Sequence, residues 1–263
     1  MAAPPTTTAV CNTFKTDILQ AGHNFAAQIS GLTGTAATTR NLTAISGAGI
    51  SGIAVGMGVA GTNVAANTVV DTLVSQTALE LSVATTGAPS GLLFNGDIFK
   101  IALVRSDAGG SGSAYGVGTT NAGTPGTGAG TGTGNLGTDE TPASGQYAAG
   151  GQILANNTTP ALSTNTAWTS WTVNPTWGAT TTVSTIGALI YNTGTTLTGA
   201  GTGTATAQPR LGSASGGITA TAGGSAVNHA VAVYDFGGIQ SVASGTITLT
   251  FPATGATAIL RIA

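Results

Sequence analysis

A chain of 263 residues with six Lys and Arg against eight Asp and Glu, a net charge of −2 and one cysteine excludes three classes at the outset. It has no basic footprint for DNA or RNA to condense on and no possible intrachain disulfide, and its most apolar run, Ile50 to Gly61, is broken by Ser51 and several glycines and falls short of the ~20 residues of a spanning helix. Charged residues are 5 % of the chain against about 25 % in ordinary domains, so Thr, Ser, Asn, Ala and Gly must cover the surface. Such a surface resists self-association weakly and suits a subunit of an assembly.

The start, Met1-Ala-Ala-Pro-Pro-Thr-Thr-Thr8, has neither a basic nor an apolar region of the kind a secretory signal needs. Residues 1–9 read as an extended arm, with Pro4-Pro5 favouring polyproline geometry, waiting for a neighbour to pin it. Phe14, Ile18 and Leu19 recur at helical spacing between Asn12 or Thr13, as N-cap, and Gly22, which predicts one short helix. Residues 33–94 change character. Thr38 to Ile45, Ile53 to Val64, Thr68 to Val74 and Ala78 to Val83 are short apolar runs between Gly and Asn turns, the pattern of a small β-domain.

Asp97 to Val104 predicts a strand with Phe99, Ile101 and Leu103 on one face and Lys100 on the other. Residues 106–138 and 193–227 are almost wholly Gly, Thr, Ser and Ala and predict two long loops, the first anchored by Tyr115. A strand is expected over Gly150 to Ala155, and another over Trp168 to Val173, where Trp168 and Trp171 have opposite parity, so that either a bulge re-aims one of them or one covers a loop or a neighbouring subunit. The last third carries Gly187-Ala-Leu-Ile-Tyr-Asn192, His229 to Gly238, Gly245 to Ala253 and Ala258 to Ala263. Within it Ile247, Leu249 and Phe251 alternate with Thr246, Thr248 and Thr250, a half-buried strand that Pro252 should end.

No constellation specifies a reaction. Gly47-Ala-Gly49-Ile-Ser-Gly52 with Asp71 downstream matches a dinucleotide fingerprint, but the glycines that follow forbid the helix it requires, and β-turns are the better reading. His23 and His229 read as a helix-end and a strand-start histidine, without a nucleophile motif beside either. Asp139-Glu140 reads as a solvated loop pair, Asp235 as an acceptor for a nearby turn or a solvent-facing group, and Cys11 as a small buried side chain. The three tryptophans, Trp168, Trp171 and Trp177, fit core or interface packing better than sugar stacking. The reading assigns no catalytic, cofactor-binding or metal-ligating residue and no cofactor.

Two parts of the chain resemble known proteins. Cys11 to Phe25, Asp97 to Leu103, Gly145-Gln-Tyr-Ala-Ala-Gly-Gly151, Gly187 to Asn192, Ala230 to Gly238, Ile247 to Pro252 and Ala258 to Ile262 together resemble, in the same order along the chain, a family of tailed-bacteriophage virion structural proteins. Between them, Asn41 to Val83, centred on Gly52-Ile-Ala-Val-Gly-Met-Gly-Val-Ala-Gly-Thr-Asn-Val64, is similar to a small β-module of phage tail and fibre proteins, departing from its pattern at Asn63 and lacking its proline. The resemblance implies an all-β protein. Its jelly-roll-like β-sandwich host would be built from 1–32 and 95–263, with 33–94 inserted. It further implies a non-enzymatic capsid decoration or cement protein on the virion surface. Such a protein would be a homotrimer bound to the major capsid protein, its arm and one glycine-rich loop lying across neighbouring subunits, without nucleic-acid or membrane partners. The alternative is a tail fibre or baseplate component contacting a host glycan.

Overall fold

The computed structural model describes residues 6–19, 23, 25, 29–36, 38–46, 50–65, 68–106, 115–122, 136, 139–154, 160–193, 229–252 and 258–262. The protein is mostly β, with one short N-terminal helix, α1 (Asn12–Leu19), and several antiparallel sheets. The helix forms where the apolar spacing places it. It starts one residue past Cys11, whose carbonyl accepts from Lys15 N at 3.3 Å, so Cys11 rather than Asn12 or Thr13 holds the cap position. Phe14 and Asp17 face inward, whereas Leu19 is 88 % exposed. Gly22, the expected C-terminal cap, lies outside the described residues.

The principal sheet has five strands in the order β1 (Ala9–Val10), β13 (Ala230–Thr248), β12 (Thr176–Asn192), β8 (Phe99–Arg105), β9 (Gln152–Ile153). Every neighbouring pair is antiparallel. Leu103, Ala188 and Tyr234 lie opposite one another across β8, β12 and β13 and so share a face. As the alternation predicts, Phe99, Ile101 and Leu103 share one side of β8. The other side is covered too, however, and Lys100 is buried. Residues 6–10 are no free arm: β1 pairs with Val233 and Ala232, and Thr7 N donates to Tyr115 O at 2.9 Å.

The sequence divides β13 into separate runs at its glycines; the structure makes it one strand of 19 residues with bulges. Between the pairs Thr185–Gln240 and Gly187–Asp235, β12 advances two residues and β13 five. Gly237 and Gly238 absorb the excess at φ 70° and 158°, conformations that cost glycine nothing. A second bulge lies between Val242 and Gly245, with Ser244 at φ 47°. The alternation beyond it is as expected: Ile247, Leu249 and Phe251 pack against the core and the threonines between them are exposed. The ladder ends at Thr248, before Pro252. Leu249 N donates to Pro175 O and Phe251 N to Asn174 Oδ1, each at 2.9 Å.

A three-stranded sheet of β10 (Ala161–Ser163), β11 (Thr166–Thr169) and β14 (Leu260–Ile262) completes this part. β11 ends at Thr169, which resolves the parity conflict: Trp171 lies beyond the strand and turns inward while Trp168 stays half-buried. Of the strands expected over Thr38 to Ile45 and Gly150 to Ala155, only β3 (Asn41–Leu42) and β9 form.

Among the described residues, most buried apolar side chains fall into two clusters. One contains Cys11, Phe14, the β8, β12 and β13 residues, Trp171, Trp177 and Leu260. The other is drawn entirely from between Leu32 and Phe94. Two further three-stranded sheets surround it: β2 (Ile29–Leu32), β7 (Ser90–Asn95) and β4 (Gly58–Thr62), and β3, β6 (Ala78–Leu81) and β5 (Val70–Ser75).

Candidate functional site

At one end of the principal sheet the fold collects four titratable side chains that the sequence scatters. Phe14 and Asp17 are three apart and share the inward side of α1. Asp17 Oδ2 accepts from His229 Nδ1, just ahead of β13, at 2.8 Å. His23 is enclosed by Phe14, Phe25 and Phe99, with ring centroids 5.0, 5.9 and 6.0 Å away. Its Nε2 lies 3.5 Å from Asp17 Oδ2 and its Nδ1 3.5 Å from Asp97 Oδ2, charge contacts longer than hydrogen bonds. Asn192 Nδ2, at the end of β12, lies 2.8 Å from His23 Nδ1 and donates to Asp97 Oδ2 at 2.5 Å. Burial pushes the Asp17 carboxyl up, but the two imidazoles outweigh it and hold its pKa below the usual value. Burial likewise pushes His23 down, and the facing carboxylates outweigh that and raise it.

The two histidines therefore do not have separate roles, as the sequence suggests, but meet on one carboxylate. Asp17 was findable as the acid set among the apolar positions of the helix. Asp97 and Asn192 carry no such signal.

A second polar cluster lies across the sheet. Asp139 and Glu140, read from sequence as solvated, are 1 % and 8 % exposed. Tyr115 OH donates to Asp139 Oδ2 at 2.6 Å, so Tyr115 is the anchor its position predicts. Glu140 Oε1 accepts from Tyr147 OH at 2.9 Å and Gly150 N at 2.6 Å, and Tyr147 OH accepts from Leu103 N at 2.9 Å. Tyr191 OH donates to Gly150 O at 2.6 Å. Buried carboxylates survive because these donors compensate them. Burial, helped by Glu140, pushes both Tyr147 and Tyr191 up; burial pushes Lys100 down against the pull of Glu140. Tyr147→Phe strands the buried Leu103 N–H and is expected to cost about 1–3 kcal/mol. The measurement is a urea titration, in which the midpoint falls while the m-value holds.

The remaining sequence candidates have structural partners. Cys11 is buried, its Sγ donates to Gly116 O at 3.7 Å, and burial pushes the thiol up to about 12, far from a reactive thiolate. Asp235 is exposed and holds the N-terminal segment: its Oδ1 accepts from Thr6 Oγ1 at 2.9 Å and its N donates to Thr8 Oγ1 at 3.0 Å. Gly47 and Gly49 lie outside the described residues. Gly52 is a turn glycine at φ 80°, Asp71 pairs with Arg40 on the surface, and β4 rather than a helix follows. Trp171 packs on Phe99 and Trp177 on Tyr147, each at 5.4 Å between centroids. A groove of about 380 Å³ opens beside Tyr234, Phe236, Gln240, Ile247, Leu249 and Phe251.

The Asp17–His229 pair is oriented as a base dyad is, with His229 one-third exposed. Among the described residues no serine, threonine or cysteine side chain hydrogen-bonds to that imidazole, no group of three or more His, Cys, Asp and Glu could hold a metal ion, and no helix is long and apolar enough to cross a membrane. The arrangement ties α1 to the approach to β8, the end of β12 and the start of β13. In comparisons with protein families, curated proteins and solved structures, the chain matches none.

Proposed function

We propose that this chain is a non-enzymatic structural protein of a tailed-phage virion, a decoration or cement protein that binds the capsid lattice as a homotrimer. The observation that carries the reading is where the resembling segments fall. Cys11 to Phe25, Asp97 to Leu103, Gly145 to Gly151, Gly187 to Asn192 and Ala230 to Gly238 supply α1, most of β8, the turn over β8, the end of β12 and the first part of β13, around one buried cluster. The intervening residues make the other cluster. In this reading the five-stranded sheet and the β10–β11–β14 sheet are the layers of a jelly-roll-like sandwich, and 33–94 is an inserted module. A surface with 5 % charged residues permits close contact between copies fixed on a lattice, where weak contacts add by avidity.

Co-sedimentation of the purified protein with separated heads and tails of the phage tests the reading. Saturable binding to heads is expected. Binding confined to tails would move the protein to a fibre or baseplate, and binding to neither would remove the virion reading. Deleting residues 1–9 is not a clean test of arm contacts, because it also removes Ala9 from β1 and the Thr6 and Thr8 contacts with Asp235.

A further inference from the structure

We propose that Asp17, His23, Asp97 and Asn192 form a proton-controlled clamp, which holds α1 to the end of the principal sheet while His23 is protonated and loosens it when that proton leaves. Asp17 comes from α1, His23 from the chain beyond it, Asp97 from the approach to β8 and Asn192 from the end of β12. His229 is the fourth titratable group and reaches Asp17 from the β13 side. Lys15, also on α1, is turned to Asn12 Oδ1 at 3.4 Å. The aromatic enclosure of His23 leaves its side chain fully buried, so the charge on the ring is compensated by the protein.

Two hydrogen-bond patterns of these side chains exclude each other. A neutral ring accepts at Nδ1 from Asn192 Nδ2, 2.8 Å away, and keeps its proton on Nε2 toward Asp17. A protonated ring donates from both nitrogens. It can no longer take the Asn192 amide proton, and its Nδ1 turns to Asp97 Oδ2, now 3.5 Å away. Ring, amide and carboxylate must rearrange together. The charged ring faces two buried carboxylates at once; when it is neutral Asp17 keeps His229 and Asp97 keeps Asn192, but the attraction of the ring charge for both carboxylates is lost.

The pH limits follow from the directions of shift. His23 is raised above its ordinary 6.5, so its contribution is full below that value and is lost as pH rises through the folded value. Asp17 is lowered below its ordinary 3.8, so its contribution is present above that value and lost as pH falls through the folded one. The clamp has an acid limit set by Asp17 and an alkaline limit set by His23.

The test is an NMR titration of both imidazoles from about pH 5 to about pH 9 on the intact chain, together with amide exchange of Asn12–Leu19 corrected for intrinsic rates. Protection of α1 is expected to fall about tenfold or more with the midpoint of the His23 ring. In Asp97→Asn both midpoints should move down together by about one pH unit or more, and in His23→Gln the step should vanish. Protection of α1 that stays flat while His23 titrates, or a midpoint unmoved in Asp97→Asn, overturns the clamp. Should the variants fail to fold, the coincidence of the two wild-type midpoints decides: matching midpoints support the clamp and separate ones refute it.

Discussion

Gly151→Ala is expected to be among the most damaging single-methyl changes in the protein. Gly151 sits at φ 72°, and a Cβ there would overlap the carbonyl of Ile101 in β8. The nearest atoms belong to strand backbone, so no rotamer change relieves the overlap; the turn or the strand must move. Moving the turn disturbs Tyr147 and Gly150, which hold Glu140, and the Gly150 carbonyl that receives Tyr191 OH. Strain of this kind costs about 3 kcal/mol. At about 2–4 °C per kcal/mol for a chain of this size, melting should fall by about 6–12 °C. Gly118→Ala is the control: no atom lies within 4 Å of its Cβ position, and its effect should stay within about 0.5 kcal/mol. Differential scanning calorimetry of the two variants measures both, and equal melting temperatures would mean that the turn does not press on β8.

Trp177→Ala carries the second large effect and also separates fold from surface function. The side chain is 2 % exposed and packs on Tyr147. Truncating it leaves a cavity, and loss of about 3–5 kcal/mol is expected, read as a lower urea midpoint. Any loss of particle binding by this variant should track its loss of fold. Trp168 behaves differently. It is half-buried, beside a small cleft of about 100 Å³ with Phe14 and Ile18, and Trp168→Ala should cost about 1 kcal/mol or less. A glycan-stacking role therefore has one tryptophan with a solvent-facing side to draw on, Trp168, and neither Trp171 nor Trp177.

The legible parts of this fold are those written in local pattern. Phe14 and Ile18 announce α1, the alternating run from Asp97 to Val104 announces β8, and the Ile247–Leu249–Phe251 alternation gives the correct inward side. Tyr115 is legible as an anchor because it stands alone among small residues. The continuity of β13 is not legible, because glycine in a bulge looks like glycine in a turn until the partner strand is known. The His–Asp cluster is invisible for a different reason. His229 and Asp17 are 212 positions apart and Asn192 and His23 are 169 apart, so no spacing rule connects them. Asp139 and Glu140 look solvated because their compensation comes from Tyr115, Tyr147 and a backbone N–H, a network that exists only after the sheet has formed.

The proposed decoration of a phage head is tested most directly by antibody labelling of purified virions viewed by negative-stain electron microscopy. The account predicts label spaced regularly over the heads. Label confined to tail tips or fibres, or particles that carry none, would contradict it.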